Sequence, residues 1–178
     1  EITIKREGMA VVNYLLPLQL GHCSNESIIC RDEVCYLRVG RTYTNPIISD
    51  KSVPDPSVIR ANDGYFYLYA TQTKTYWMPV YRSKDLVNWE YQGTAFNKAT
   101  EPDLPGGGAF WAPEIRFLNG KYVLYYSWAK MNGADISYTA VAVGDTPMGP
   151  FLDSKELIGN KEFGSNCIDQ FYYEEDGK

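Results

Sequence analysis

The sequence predicts an all-β chain assembled from propeller-like units, about two of them complete and a third just begun. Three observations lead there. Short runs rich in aromatic and β-branched residues, such as "GYFYLYATQ" (residues 64–72) and "KYVLYYSWA" (residues 121–129), alternate with Asp, Asn, Gly and Pro turns. No long apolar stripe of helical period appears. Three stretches also match one another: "DPSVIRANDGYFYLYA" from Asp55, "APEIRFLNGKYVLYYS" from Ala112 and "DQFYYEEDGK" from Asp169. Their first residues stand 57 apart each time (55 to 112 to 169).

Each matching stretch reads as a β-hairpin: a short apolar strand, a turn, then an aromatic strand. Asp-Gly and Asn-Gly supply the positive φ that a tight turn needs. The turn glycines Gly64, Gly120 and Gly177 are 56 and 57 apart, so the first unit carries one inserted residue. The aromatic strands are apolar on both faces and are expected to be buried on both sides. Blades stacked face to face around an axis have that property. Further strands are expected within "PVYRSKDLVNWEYQG" (residues 79–93) and "YTAVAVGDTPMGPF" (residues 138–151), and "PDLPGGGAF" (residues 102–110) reads as the linker between units. In a blade the head of the innermost strand faces the central channel, so Asp55 and Asp169 should look into one cavity. Two open blades leave apolar faces uncovered. The chain therefore reads as the N-terminal part of a longer protein, or as a fragment that pairs to complete a ring.

Composition narrows the function. The 178 residues carry a net charge of −5 without a basic block or stripe, which argues against nucleic acid as a partner. The aromatic content is 15%, with 15 Tyr and 4 Trp; most serve β-sheet cores, and a few suit stacking on sugar rings. His22 is the only histidine, and the four cysteines match no zinc spacing. Both a Cys30–Cys35 disulfide and free thiols are open. The glycines of residues 106–108 lack the Lys-Ser/Thr and the helix of a phosphate loop, so no nucleotide site is expected.

The N-terminus is separate in character. In "IKREGMAVVNYLLPLQLGHCSNE" basic residues precede an apolar run from Met9 to Leu20 and then Cys23. That order is that of a bacterial lipoprotein signal with a lipid anchor at Cys23; an ordinary strand or extension is the other reading. Residues 1–42 are thus set apart as an extension, and residues 43–178 as the propeller part. No stretch is long enough for a transmembrane helix.

Several side chains are candidates for a site. In "SVPDPSVIR" the two prolines stiffen both neighbours of Asp55. Phe110 and Trp111 open the inner strand of the second unit, and Trp111 is either a sugar-stacking or a blade-packing residue. Glu114 lies two positions past the equivalent of Asp55. Trp77 suits a cavity rim or a core, Trp89 a core beside a turn, and Asn166 stands shortly before Asp169.

Four of these motifs, "VPDPSVIRANDGYFYLYAT", "VYRSKDLVNWEYQGTAF", "FWAPEIRFLNGKYVLYYS" and "SNCIDQFYYEEDGK", together resemble glycoside hydrolase family 43 over residues 45–178. The likeness is to arabinan endo-1,5-α-L-arabinosidases, arabinofuranosidases and β-xylosidases. It implies a five-bladed propeller and an inverting glycosidase of arabinan or arabinoxylan-type plant cell-wall polysaccharide. Inversion needs a base to activate water and, ~6.5–9.5 Å away, an acid to protonate the leaving oxygen. The resemblance makes Asp55 the base. It makes Asp169 a third carboxylate that raises the acid's pKa and orients it. The acid itself is a Glu of the fourth blade, for which this chain has no position, so the fragment should barely cleave unactivated glycosides. The family usually follows the third-blade Asp with Pro; Gln170 stands here. Glu114, Trp111, Phe110, Asn166 and Trp77 are carried as substrate-side residues. No cofactor is required, although some relatives hold a calcium ion on the axis with a later-blade histidine. An extracellular, periplasmic or outer-surface bacterial location follows. Two rival readings are a propeller that binds glycans without cleaving them and a WD-repeat interaction propeller, whose Gly-His and Trp-Asp marks are absent.

Overall fold

The computed structural model describes residues 14–19, 34–39, 45–49, 51–74, 77–104, 108–130, 137–158 and 167–176. The chain divides into two compact units, residues 1–44 and 45–178. In the first, β1 (Tyr14–Gln19) pairs antiparallel with β2 (Val34–Val39), Tyr14 opposite Val39 and Gln19 opposite Val34. Cys23 and Cys30, and with them the expected lipid anchor, lie outside the described residues.

The second unit is all-β and holds two four-stranded antiparallel sheets, each a simple meander. One runs β3 (Ser57–Arg60), β4 (Phe66–Tyr69), β5 (Pro79–Ser83) and β6 (Glu90–Thr94). The other runs β7 (Ala109–Leu118), β8 (Lys121–Ala129), β9 (Ser137–Gly144) and β10 (Leu152–Ile158). No helix among the described residues is long and apolar enough to cross a membrane.

The turns follow their residues. Between β7 and β8 only Asn119 and Gly120 intervene, at φ of 51° and 80°, the two left-handed positions that an Asn-Gly hairpin favours. The first hairpin is longer because of its inserted residue. Ala61 O accepts the Gly64 N–H at 3.0 Å and Gly64 takes φ 83°. Between β5 and β6 the Asp85 carboxylate accepts the N–H groups of Val87 and Asn88 at 2.9 and 2.7 Å, an Asx-type turn.

The two sheets share one apolar layer. Tyr67, Tyr69, Met78, Val80 and Phe96 of the first meet Phe110, Ile115, Phe151 and four residues of β8 from the second. Those four, Tyr122, Leu124, Tyr126 and Trp128, follow the two-residue period of a strand. On the opposite face of β4, Leu68 and Ala70 join Tyr81 and are covered by Ile48, Val53 and Trp89. Strand β4 is therefore buried on both sides, as its apolar pattern requires, and Trp89 is a core residue beside a turn.

Two expectations are corrected. Ala109 and Phe110 belong to β7 rather than to a linker. Residues 167–176 form no strand, and the hairpin expected there is not seen: the Cys167 N–H reaches Ser137 O at 3.4 Å, and no ladder follows it. They lie against β8 instead: the Tyr172 and Tyr125 rings stack with centroids 5.9 Å apart.

Candidate active site

The three repeat-equivalent residues share one unusual backbone state. Asp55, Ala112 and Asp169 have φ of 51°, 40° and 59°. Left-handed backbone costs an L-residue ~1–2 kcal/mol, less for Asp, whose short polar side chain bonds locally. Two of the three positions carry a carboxylate, and both are exposed.

Within residues 45–178 a hydroxyl holds each junction between repeats. The Thr71 hydroxyl donates to Asp55 Oδ2 at 2.7 Å, and its oxygen accepts the Ala112 N–H at 2.7 Å. One unit later, Ser127 Oγ accepts the Asp169 N–H at 3.0 Å and donates to Gln170 Oε1 at 3.1 Å. Thr71 and Ser127 each stand seven residues after their unit's turn glycine, Gly64 and Gly120. The Thr71 N–H also donates to Pro54 O at 3.0 Å, which closes the loop around Asp55. An exposed carboxylate on a backbone fixed this way can hold and deprotonate a water molecule.

A β-bulge decides which neighbours reach this side. In β7, Trp111 pairs with Ser127 and Glu114 with Tyr125, so three steps on β7 match two on β8. The extra residue puts Trp111 and Glu114 on one face and Phe110 and Ile115 on the other. Trp111 is half-buried on the face of Ser127. Phe110, expected as a substrate contact, is corrected. It is 1% exposed and stacks on Phe96 with centroids 4.3 Å apart, inside the core. Trp77 is likewise packed on the core, 6.2 Å from the Phe110 ring. Asn166 lies outside the described residues.

Glu114 joins β3 and β7, the first strands of the two sheets. One carboxylate oxygen accepts from Ser57 Oγ at 3.1 Å, and the other meets Arg116 at 2.5 Å. Ser57 Oγ in turn accepts the Ile115 N–H at 3.2 Å. Arg116 then lies over the rings of Phe171 and Tyr172 at 5.5 and 5.9 Å. With its side chain only 12% exposed and both oxygens engaged, Glu114 ties β3 to β7.

Thr71, Ser127 and Arg116 were not singled out from sequence, and Gln170 was noted only as a departure from the family's Pro. For the first two a signal exists, a hydroxyl residue at the same offset from each turn glycine. Among the described residues no three His, Cys, Asp or Glu side chains form a cage for an ion such as calcium.

Comparison with known proteins identifies the family. Residues 43–178 match the family described as glycosyl hydrolases family 43. The chain is 31% identical over 118 residues to a non-reducing end alpha-L-arabinofuranosidase of Bacteroides ovatus, covering 64% of this chain and 22% of that one. It is 30% identical over 147 residues to a putative beta-xylosidase of Escherichia coli, covering 76% and 25%. The chain thus spans about a quarter of these relatives' length or less. The structure of a Cellvibrio cellulosa alpha-L-arabinanase complexed with arabinohexaose superposes with a TM-score of 0.55 at 30% identity, covering 68% of this chain and 40% of that one.

Proposed function

The chain belongs to family 43 of the glycosyl hydrolases, and from that membership we propose that it supplies two of the three carboxylates of an inverting glycosidase. Its substrates are α-L-arabinofuranosyl or β-D-xylosyl linkages in arabinan or arabinoxylan-type plant polysaccharides. The observation that carries the reading is the shared left-handed backbone of Asp55 and Asp169 at equivalent positions of two repeats. The names of the similar proteins, an arabinofuranosidase, a putative xylosidase and an arabinanase, support the substrate class. In this reading the two sheets are the first blades of a five-bladed ring, and the general acid is a Glu outside this chain. The protein acts outside the cytoplasm, with Cys23 as its lipid anchor.

Asp55 is the base. Its Oδ2 is held by Thr71, which leaves Oδ1 to take a proton from the attacking water as that water's oxygen bonds the anomeric carbon. Asp169 sets the acid's protonation by like-charge repulsion. Trp111 offers the apolar face of a sugar ring its contact, while Glu114 and Arg116 keep β3 and β7 in register beneath it.

The test uses a leaving group that needs no acid. The chain should hydrolyse dinitrophenyl α-L-arabinofuranoside with inversion at the anomeric carbon while leaving arabinan almost untouched. Asp55→Asn should lower that rate by roughly 10²–10⁴-fold without lowering the unfolding midpoint. Wild-type rates from Asp55→Asn overturn the role of Asp55. Binding of arabino-oligosaccharides with no turnover of either substrate favours a glycan-binding module instead.

A further inference from the structure

We propose that Gln170 is a positioning residue that locks Asp169 to the second repeat, in phase with Asp55; the inference rests on the reading of those two aspartates as one site. Its amide sits between two fixed partners. Nε2 donates to Ala112 O, and Oε1 accepts from Ser127 Oγ at 3.1 Å. The orientation of the amide follows from chemistry, since a backbone carbonyl can only accept and Nε2 must face it. The Ser127 hydroxyl spends its proton on Gln170 and is left with its lone pairs for the Asp169 N–H, 3.0 Å away.

The links then run without a break. Asp55 Oδ2 accepts from Thr71, Thr71 accepts from Ala112 N–H, and Ala112 O accepts from Gln170. Gln170 accepts from Ser127, and Ser127 accepts from Asp169 N–H. Every donor meets an acceptor, and Ala112, in its left-handed state, is gripped at both its N–H and its C=O. The equivalents of Gln170 are Pro56 and Pro113, neither of which can reach across in this way. Residues 167–176 have no strand ladder, so this side-chain clasp takes the place of one at the head of the segment.

Amide exchange in the isotope-labelled 178-residue chain tests the clasp without any need for hydrolysis. Gln170→Met keeps length and loses both hydrogen bonds, and should lower the protection of the Asp169 N–H by about tenfold. Core amides such as that of Leu124 should keep theirs. Gln170→Glu should also lower that protection at neutral pH, because a carboxylate cannot donate to Ala112 O and keeps only the bond it accepts from Ser127. Below the ordinary glutamate value of ~4.3 the protonated acid has the donor–acceptor pattern of the amide, and protection should return. Asp169 beside it, and Arg116 with its partner Glu114 against Phe171 and Tyr172, also carry charge, so the wild type is titrated in parallel. Unchanged Asp169 protection in Gln170→Met overturns the proposal. So does a Gln170→Glu protein whose protection fails to rise on acidification relative to wild type. The Gln170→Glu comparison lies within one protein and decides the matter even where Gln170→Met does not fold. If instead Asp55→Asn retains full hydrolysis while these shifts appear, the clasp stands and the assignment of the base falls.

Discussion

The Thr71 hydroxyl binds the Asp55 carboxylate at 2.7 Å, and the same oxygen takes the Ala112 N–H of the next repeat. One side chain thus fixes the aim of the proposed base and the junction between sheets. Thr71→Val keeps the shape and removes both bonds, leaving a part-buried N–H without an acceptor. It should cost about 1–3 kcal/mol in urea unfolding. Thr71→Ser should recover most of that loss, since it restores the hydroxyl. Equal stability of the Val and Ser variants would show that the hydroxyl contributes nothing.

The bulge in β7 separates two neighbouring aromatics by role. Phe110 lies among Phe96, Tyr126 and Trp128, with ring centroids 4.3, 5.4 and 4.9 Å away. Phe110→Ala should therefore cost about 3–5 kcal/mol. Trp111, half-buried on the opposite face, should cost clearly less on truncation and instead weaken binding of arabino-oligosaccharides, read by calorimetric titration. A Trp111→Ala protein as unstable as Phe110→Ala would return Trp111 to the core.

The same bulge marks where sequence reading stops. Alternation counted back from Glu114 places Phe110 on Glu114's face; one extra residue at Ala112–Pro113 reverses the parity, and Pro113, which cannot donate to a ladder, is its single sequence mark. Strand β8 was legible to its ends from its aromatic and β-branched run after an Asn-Gly turn, and the structure adds that Tyr122, Leu124, Tyr126 and Trp128 take the core face. The equivalence of Asp55 and Asp169 was legible as spacing, and the backbone angles give it a physical form. The hydroxyl and amide links were hidden. Thr71, Ser127 and Gln170 are common residues whose partners lie far along the chain, from 16 positions for Thr71–Asp55 to 58 for Gln170–Ala112.

Buried phenols set a limit at high pH. Burial, aided by the 2.8 Å bond to Asp63, pushes the Tyr67 phenol up to about 12 from its ordinary 10.0. Burial pushes Tyr69 and Tyr126 up as well. A raised value means the folded state holds its proton when the unfolded state has lost it. Stability from these groups is thus complete below pH 10 and falls as pH rises from there through about 12. Urea midpoints should be flat up to pH 10 and decline above it, with folded-state tyrosinate absorbance from Tyr67 appearing near pH 12 rather than near 10. Tyr67→Phe should flatten part of that decline. A midpoint that rises between pH 10 and 12 would contradict the assignment.

Ala112 offers the most direct test of stored backbone strain. It stands at φ 40° where its equivalents are aspartates, and alanine has no side-chain oxygen to ease that state. The left-handed region costs an L-residue ~1–2 kcal/mol, and glycine enters it freely. Glycine also has more freedom to lose on folding, which takes back ~0.5–1 kcal/mol. The net expectation for Ala112→Gly is a gain of about 0.5–1 kcal/mol in urea unfolding, against the usual loss for such a change inside a strand. Ala112→Val should lose more than 1 kcal/mol, because a β-branched residue fits this region worst. The Gly variant also relaxes the residue that Thr71 and Gln170 grip from both sides. The cost of Gln170→Met should therefore be smaller in the Gly background than in the wild type, a coupling that a double-mutant cycle measures. Strict additivity would mean that the two junctions act independently.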